Sequence, residues 1–359
     1  MRGRFRDPGG LFSYSSPEAR GPAKPPLRPV RELVRAVLKD LGPRFGKLSS
    51  SAGRPAIPPE QLLSALLLQV FYGIRSARQP REPLDYNLLY RWFAGLAADD
   101  PVGDTTTFAK NRDRRQHGEV WQKFMTKLLN PPQGKPLLSD EHFSVDGTLI
   151  AAGASPKSFR AKDGGDKEGD GADFRGQTRS NETHAGTTDP ESRLNRKAAG
   201  REARLCSMGH VAMENRHGLA VAGGVTKADG PAKRRASQAM LKPSARPLVG
   251  AARPARTRPM IRRAMWKTCV PSTSRRMWRR TMARPKSASG GEARSMPARQ
   301  GTRAACRRSA AKGSQASLAG ASSMAMRKAK QRGVARIAGG FLLHLIADNL
   351  IRIPKLVAA

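Results

Sequence analysis

The feature that most constrains the folding of this chain is a long stretch almost without acidic residues. Between Asp229 and Asp348 the only carboxylate side chain is Glu292, while arginine and lysine recur throughout. The whole chain of 359 residues carries a formal net charge of +38. Charge of one sign resists compaction and favours a polyanionic partner, so nucleic acid is the first candidate and an anionic membrane surface the second. The stretch also lacks the apolar spacing that offsets ordering entropy, so we expect no consistent fold over residues 235–325.

The sequence argues against a membrane-spanning or secreted chain. No uninterrupted run of about 20 apolar residues occurs, which is the length that a membrane-spanning helix needs. The first residues, Met1 to Phe5, lack the apolar core of a signal peptide. Cys206, Cys269 and Cys306 are scattered and odd in number, which fits neither a disulfide framework nor a zinc site. We therefore expect a protein of the reducing cytoplasm.

The first 226 residues differ from the basic stretch because they have mixed charge and regular apolar spacing. Residues 1–26 are polar, contain proline and glycine, and are expected to be loosely attached. The apolar residues from Leu62 to Phe71 cover nearly all sides of one segment, which predicts the central helix of a small bundle. The apolar periodicity predicts helices over Pro29–Leu41, Glu60–Tyr72, Tyr86–Leu96 and Glu119–Leu129.

A further helix is predicted from Asp104 or Thr105 to His117, because either residue can cap its first turn. It follows a short turn over residues 97–103 and is rich in cations. A helix, a turn and a second basic helix are typical of helix-turn-helix proteins, in which the second helix lies in the major groove. A solvated basic face on an ordinary helical bundle explains the pattern equally, because the motif has no strict sequence code. The candidate DNA-binding residues are Lys110, Arg112, Arg114 and Arg115.

The pattern changes after Pro131 and Pro132, where strands are predicted instead of helices. Residues 142–150 are predicted to form a strand with Asp146 in its middle. Residues 205–226 are predicted to form a β-hairpin, with strands over 208–213 and 219–225 and a turn from Asn215 to Gly218. The fold class is therefore α followed by α/β.

Asp146 is the candidate for chemistry. An aspartate within an apolar strand is costly unless it is paired, capped or bound to a metal ion. Two Mg²⁺ ions held by such a residue could clamp the attacking and leaving oxygens of a phosphodiester, but at least two more carboxylates must converge on them. Alternatively, Asp146-Gly147 is a simple hairpin turn. The nearest other acids lie in a glycine-rich loop and are expected to be solvated: Asp163, Asp166, Asp170 and Asp173.

Nine short segments of the chain carry a resemblance to a known family. They are 11–14, 53–59, 91–93, 107–114, 142–150, 180–184, 187–190, 208–210 and 213–216. Taken together and in order, they resemble the insertion-sequence-five family of DDE transposases, over about residues 10–240 and again 326–359. The resemblance implies a helical DNA-binding region, an RNase H-like catalytic core, Mg²⁺ as cofactor and Asp146 as the first acid of the triad. The roles of Asn181, Thr183 and His184 stay open, with a structural segment favoured.

The sequence departs from this family where the second aspartate and the glutamate of the triad are expected. Permitted codons for Ala255–Ile261 read in a neighbouring frame as Ala-Asp-Lys-Ala-Tyr-Asp, close to the family's second acidic motif. Permitted codons for Ser317–Ala325 read in the same shifted frame as Ile-Phe-Gly-Trp followed by Gly-Lys-Gln-His-Gly. We therefore expect that a frame-shifted stretch ends near residue 325, and that Mg²⁺ is not bound productively.

The sequence predicts five segments. They are a flexible N-terminus (1–27), a helical helix-turn-helix-like DNA-binding domain (28–135), a partial RNase H-like catalytic domain (136–234), a basic segment of low order (235–325) and a C-terminal helix (326–359). The expected function is that of a catalytically dead transposase, which is nucleoid-associated, binds the DNA of element ends and targets, and forms homo-oligomers. The alternative is a non-enzymatic, weakly specific DNA- or RNA-binding protein with a basic disordered arm.

Overall fold

A computed structural model gives the arrangement of a large part of the chain. It divides into two compact units, Met1–Arg112 (unit 1) and Asp113–Ala359 (unit 2). The structure describes residues 17–20, 26–47, 57–74, 81–104, 106, 119–130, 138, 143–162, 179–198, 200–241 and 326–358.

Unit 1 is helical in its described part. Its helices are α1 (Pro17–Arg20), α2 (Leu27–Lys47), α3 (Pro59–Phe71), α4 (Arg81–Tyr86) and α5 (Leu88–Ala94). The predicted central helix is confirmed, because α3 has buried residues on nearly all sides and packs against both α2 and α5.

Two of the predicted helices have different bounds from those expected. The helix predicted over Pro29–Leu41 is longer at both ends, since α2 begins at Leu27, continues through Pro43 and buries Phe45 on the same apolar face. The helix predicted over 86–96 is interrupted at Asn87, whose side chain accepts a hydrogen bond from the amide of Leu89 at 2.9 Å. Asn87 therefore starts α5 as its N-cap and separates it from α4.

The buried guanidinium of Arg91 holds the end of α5 to its surroundings. It donates hydrogen bonds to the backbone carbonyls of Leu84 (3.0 Å), Ala97 (2.8 and 2.7 Å) and Asp100. The charged group is therefore hydrogen-bonded to acceptors from three points of the chain, as burial of a cation requires.

The N-terminal segment that we expected to be flexible is attached to unit 1 at Glu18. Its carboxylate accepts hydrogen bonds from Arg28, from Arg31 at 2.7 Å and from the indole of Trp92. The guanidinium of Arg31 also lies 4.0 Å from the centre of the Trp92 ring. These bonds, chiefly the one from Trp92, lower the pKa of Glu18 to about 2.

Unit 2 contains an antiparallel sheet covered by helices. Its elements are α6 (Glu119–Leu129), β1 (Phe143–Ala151), β2 (Phe159–Ala161), β3 (His184–Gly186), β4 (Arg193–Asn195), β5 (Arg204–Glu214), β6 (Ala220–Lys227), α7 (Ala232–Leu241) and α8 (Val334–Val357), with a short 3₁₀ helix at Pro156–Ser158. The strand at 142–150, the hairpin and the helix at 119–129 are confirmed in type, and the strands are slightly longer than expected.

The long strand β5 is the centre of this sheet. It pairs with β1 along one side, and with β6 and the short β4 along the other. Its hairpin with β6 turns at buried Glu214, whose carboxylate accepts the backbone amides of Arg216 (2.5 Å) and His217 (2.8 Å). A separate two-stranded sheet is formed by β2 and β3.

Helices α7 and α8 cover opposite faces of the sheet. Neighbouring residues of a strand point to opposite faces, and two consecutive glycines of β6 show this. A methyl group added at Gly223 would lie 2.3 Å from Leu345 of α8, whereas one added at Gly224 would lie 3.5 Å from Met240 of α7. The absence of a side chain at Gly223 therefore allows the close approach of α8.

Among the described helices, α8 alone is long and apolar enough to cross a membrane. Of its most apolar 18 residues, 61% is buried within the protein. It packs on β6 and α6, which accounts for its apolar side chains. It spans Val334–Val357, within the segment 326–359 for which a C-terminal helix was expected.

Two described helices are placed differently by the structure and by the predicted segments. The helix α6, which the sequence placed in the segment 28–135, packs on β6 and α8 and belongs to unit 2. The expected start of the unstructured segment at 235 falls inside α7, where Ala236 and Ser237 are buried. Residues 242–325, the rest of that segment, lie outside the described residues.

Candidate functional site

Asp146 lies in the middle of β1, opposite Val211 of β5. The hairpin-turn alternative for Asp146-Gly147 is therefore wrong, because the strand continues for five residues past Asp146. The side chain is 40% exposed, so its carboxylate is accessible from solvent at the edge of the sheet. This is the position that a carboxylate needs if it is to meet a ligand.

The carboxylate of Asp146 is already engaged by a cation from the same chain. The ammonium of Lys233, on the first turn of α7, lies 2.6 Å from Oδ1 of Asp146. The same oxygen accepts the backbone amide of Gly147 at 2.7 Å. The pair joins α7 to β1 across 87 residues of sequence. Lys233 was not among the residues predicted from the sequence, because nothing in the local pattern places this lysine beside Asp146.

Behind this pair lies a fully buried histidine. His210 stands opposite Gly147 in the pairing of β1 with β5, and its Nε2 lies 2.8 Å from the hydroxyl of Thr226. That hydroxyl donates to the carbonyl of Lys227 at 3.2 Å, so Nε2 of His210 is the donor and Nδ1 is an acceptor. Among the residues that the structure describes, the Nδ1 atom has no hydrogen-bond partner.

The surroundings of His210 favour its neutral form. Burial lowers the pKa of His210 to about 4, and the charge of Lys233 acts in the same direction, while Asp229 acts against it. A methyl group added at Gly147 would lie 3.5 Å both from Nδ1 of His210 and from Cδ of Lys233. Asp146, Lys233 and His210 therefore form one cluster on β1, α7 and β5.

This cluster does not fit the pair of metal ions that the family resemblance implies. Within the described ranges, no group of three or more histidine, cysteine, aspartate or glutamate side chains could hold a metal ion. A divalent ion such as Mg²⁺ takes about six oxygen ligands. Asp146 supplies at most two and already has a lysine ammonium against it. The loop acids Asp163, Asp166, Asp170 and Asp173 lie outside the described residues.

The four candidate DNA-binding residues, Lys110, Arg112, Arg114 and Arg115, lie outside the described residues. The start of their predicted helix is described. Oδ2 of Asp104 accepts the amide of Thr106, which is helical, at 2.9 Å. This is the bond expected of an N-cap residue, so Asp104, one of the two predicted caps, makes the capping contact.

The segment containing Asn181, Thr183 and His184 has a structural role in unit 2. The side-chain Nδ2 of Asn181 donates a hydrogen bond to the backbone carbonyl of Leu194 at 2.8 Å, and its Oδ1 accepts one from the backbone amide of Leu194 at 2.7 Å. These two bonds connect the segment to β4. Thr183 hydrogen-bonds Nδ1 of His184 at 2.8 Å, and the His184 ring stacks on Phe159. Each group is thus used within the fold.

Comparison with known proteins supports a transposase family. Residues 15–114 match the family model described as Transposase domain (DUF772), which covers less than half of the chain. No curated protein and no solved structure matches the chain. A transposase domain implies interaction with DNA, and the matched region includes all of the described part of unit 1 together with Lys110, Arg112 and Arg114.

Proposed function

We propose that this chain is a DNA-binding protein descended from a DDE transposase of the insertion-sequence-five family, and that it no longer catalyses strand transfer. The observation that carries the proposal is the pairing of Asp146 with Lys233 at 2.6 Å on a sheet that follows a transposase domain. In a working site of that class, the carboxylate would face metal ions and further carboxylates.

The proposed DNA-reading element is the helix that Asp104 starts. In a helix-turn-helix arrangement, Lys110, Arg112, Arg114 and Arg115 would meet phosphates or base edges in the major groove. Sequence-independent affinity would come from the many other cations of the chain, including those between residues 242 and 325. The proposed protein therefore binds DNA in a salt-sensitive and weakly specific manner, at the nucleoid, and acts as a homo-oligomer.

The proposed catalytic domain is an incomplete RNase H-like core. Asp146 is its first acid, and the acid-poor stretch replaces the segments that would supply the second aspartate and the glutamate. The close packing of α8 on β6 supports a core whose C-terminal part is intact. Mg²⁺ would then lack the ligands it requires.

The second candidate is a nucleic-acid-binding protein whose basic segment is a selected arm. The net charge of +38 favours it equally. The two proposals differ in the gene. Restoring the reading frame between about residues 235 and 325 should produce an aspartate and a glutamate in the first case and no such motif in the second.

Binding to element-end DNA tests the proposed function. We expect the full chain to shift a duplex containing the terminal repeats of the element, with affinity falling steeply as salt is raised. Replacing Lys110, Arg112 and Arg114 by glutamate should reduce binding to this duplex more than to an unrelated one. Equal losses on both duplexes would show that the helix after Asp104 does not read sequence.

A further inference from the structure

One end of the sheet in unit 2 collects cations from three separate segments of the chain. The strand pairing brings these segments together, because β1 ends, β5 begins and β6 ends at the same end of the sheet. Cys206 of β5 pairs with Ala151 of β1 on one side and with Arg193 of β4 on the other. Ala151 in turn pairs in parallel with Lys328.

The first segment is the connection from β4 to β5, and the second is the end of β6. The amide of Asn195, at the end of β4, donates to the carbonyl of Ala228 at 3.1 Å and so fixes the first segment against the second. The third segment follows the acid-poor stretch. Ala151 accepts the amide of Ala329 at 2.7 Å and donates its own amide to the carbonyl of Arg327 at 3.0 Å.

Six exposed cations of these segments define the basic rim, and none takes part in an ion pair with any residue that the structure describes. The acids beside them are already engaged: Glu202 pairs with Arg204, and Asp229 pairs with Arg235. The positive charge of the rim is therefore not neutralised by the described residues around it. The members of the rim are Arg196, Lys197, Arg201, Lys227, Arg327 and Lys328.

We propose that the basic rim binds the phosphate backbone of duplex DNA. The proposal rests on the proposed function for the identity of the polyanion, and on the meeting of the three cation-bearing segments for the place of contact. Arginine and lysine supply contacts to phosphates that set position without reading sequence. The rim would be a contact on unit 2, additional to the helix predicted after Asp104.

The composition of the rim favours duplex DNA over single-stranded nucleic acid. Proteins that bind single strands place aromatic side chains against unstacked bases. The three segments, residues 195–204, 227–235 and 326–330, contain no phenylalanine, tyrosine or tryptophan. A surface with cations and no stacking groups fits a partner that offers phosphates and keeps its bases paired.

Lysine footprinting on the full chain tests the place of contact. Acetylation of each lysine is measured by mass spectrometry with and without a 30-base-pair duplex. Lys197, Lys227 and Lys328 should be protected by the duplex, whereas the exposed Lys355, near the end of α8, should keep its reactivity. Site-by-site readout matters because the basic segment alone would shift the duplex.

Two matched variants test the energy of the contact. In one, Lys227 and Lys328 are replaced by glutamine; in the control, the exposed Arg216 and Lys355 are replaced by glutamine, so that the net charge is the same. Each lost phosphate contact should reduce the slope of log K against log salt by about 0.9. We expect a reduction of about 2 in the rim variant and almost none in the control.

The possible results separate this proposal from the proposed function. If the duplex binds but the three rim lysines stay reactive, or if both variants change the slope equally, the rim is not the contact surface, although the chain still binds DNA. Stronger protection by single-stranded RNA than by duplex DNA would overturn the choice of partner. Failure to bind any duplex would overturn the proposed function itself.

Discussion

The side-chain amide of Asn349 hydrogen-bonds both backbone groups of Ala220, which lies 129 residues earlier in the chain. Its Oδ1 accepts the Ala220 amide at 2.9 Å, and its Nδ2 donates to the Ala220 carbonyl at 2.8 Å. All of these atoms belong to buried residues, and Nδ2 also lies 3.2 Å from the sulfur of Met125. Asn349 therefore connects α8, from beyond the acid-poor stretch, to β6 and α6.

Replacing Asn349 by leucine should destabilise unit 2. Leucine has a similar volume but offers neither a donor nor an acceptor, so two buried backbone groups of Ala220 would lose their partner. The expected loss is about 2–4 kcal/mol in the free energy of unfolding, measured by urea denaturation. The control is Lys355→Gln on the exposed side of the same helix, which should change little. Equal unfolding midpoints for the leucine variant and the wild type would contradict the role given to Asn349.

Replacing Arg91 by lysine should destabilise unit 1 despite conserving the charge. Lysine cannot reproduce the planar group that reaches three carbonyl groups, and its ammonium would be buried with fewer acceptors. We expect a loss of about 2–3 kcal/mol in the free energy of unfolding. The matched control is Arg35→Lys on the exposed side of α2, and a comparable loss there would argue against a special role for Arg91.

The burial of His210 should make the stability of unit 2 depend on pH. The pKa is about 4 in the folded protein and near 6.5 in the unfolded chain, so the unfolded state takes up the proton first. Stability from the neutral imidazole is therefore complete above pH 6.5 and is lost as the pH falls toward 4. The full loss corresponds to about 3 kcal/mol.

The variant His210→Gln separates this effect from general acid unfolding. Glutamine can donate to Thr226 but does not titrate, so its free energy of unfolding should change less between pH 6.5 and pH 4.5 than that of the wild type. A second readout is the titration of His210 in Lys233→Met, where removal of the nearby positive charge should raise the pKa of His210. Parallel pH profiles for the wild type and the glutamine variant would remove His210 as the source.

The periodicity of the sequence predicts those elements that have one apolar face. It does not predict contacts between distant segments of the chain. The helices α3 and α6, the strand with Asp146 and the hairpin were predicted because each has its own local pattern. The continuation of α2 through Pro43 was missed, since burial of Phe45 offsets the cost of a proline in the helix. The break at Asn87 was missed because the apolar spacing continues across it.

The candidate site shows the same limit. Asp146 was found because a carboxylate in an apolar strand is unusual. Its partner Lys233 was not found from the sequence, because the pairing depends on how the end of β6 directs α7 across the sheet. The roles of Asn181 and Asn349 likewise lie in contacts to backbone atoms far along the chain, and such contacts have no sequence signature.

The last prediction concerns catalysis. The chain as it stands should neither cleave nor join DNA in the presence of Mg²⁺ or Mn²⁺, because Asp146 alone supplies one or two oxygens to ions that need about six, and the ammonium of Lys233 lies where a cation would bind. Asp146→Ala should therefore leave a strand-transfer assay unchanged. In a protein made from the frame-restored gene, the same substitution should abolish activity, because the second aspartate and the glutamate would then complete the ligand set.

Lys233→Met in the present chain is the matched control: it frees Asp146 of its counter-ion but adds no carboxylate, so it should also stay inactive. Metal-dependent cleavage by the present chain that disappears in Asp146→Ala would show a complete site, and would refute the proposal that catalysis has been lost.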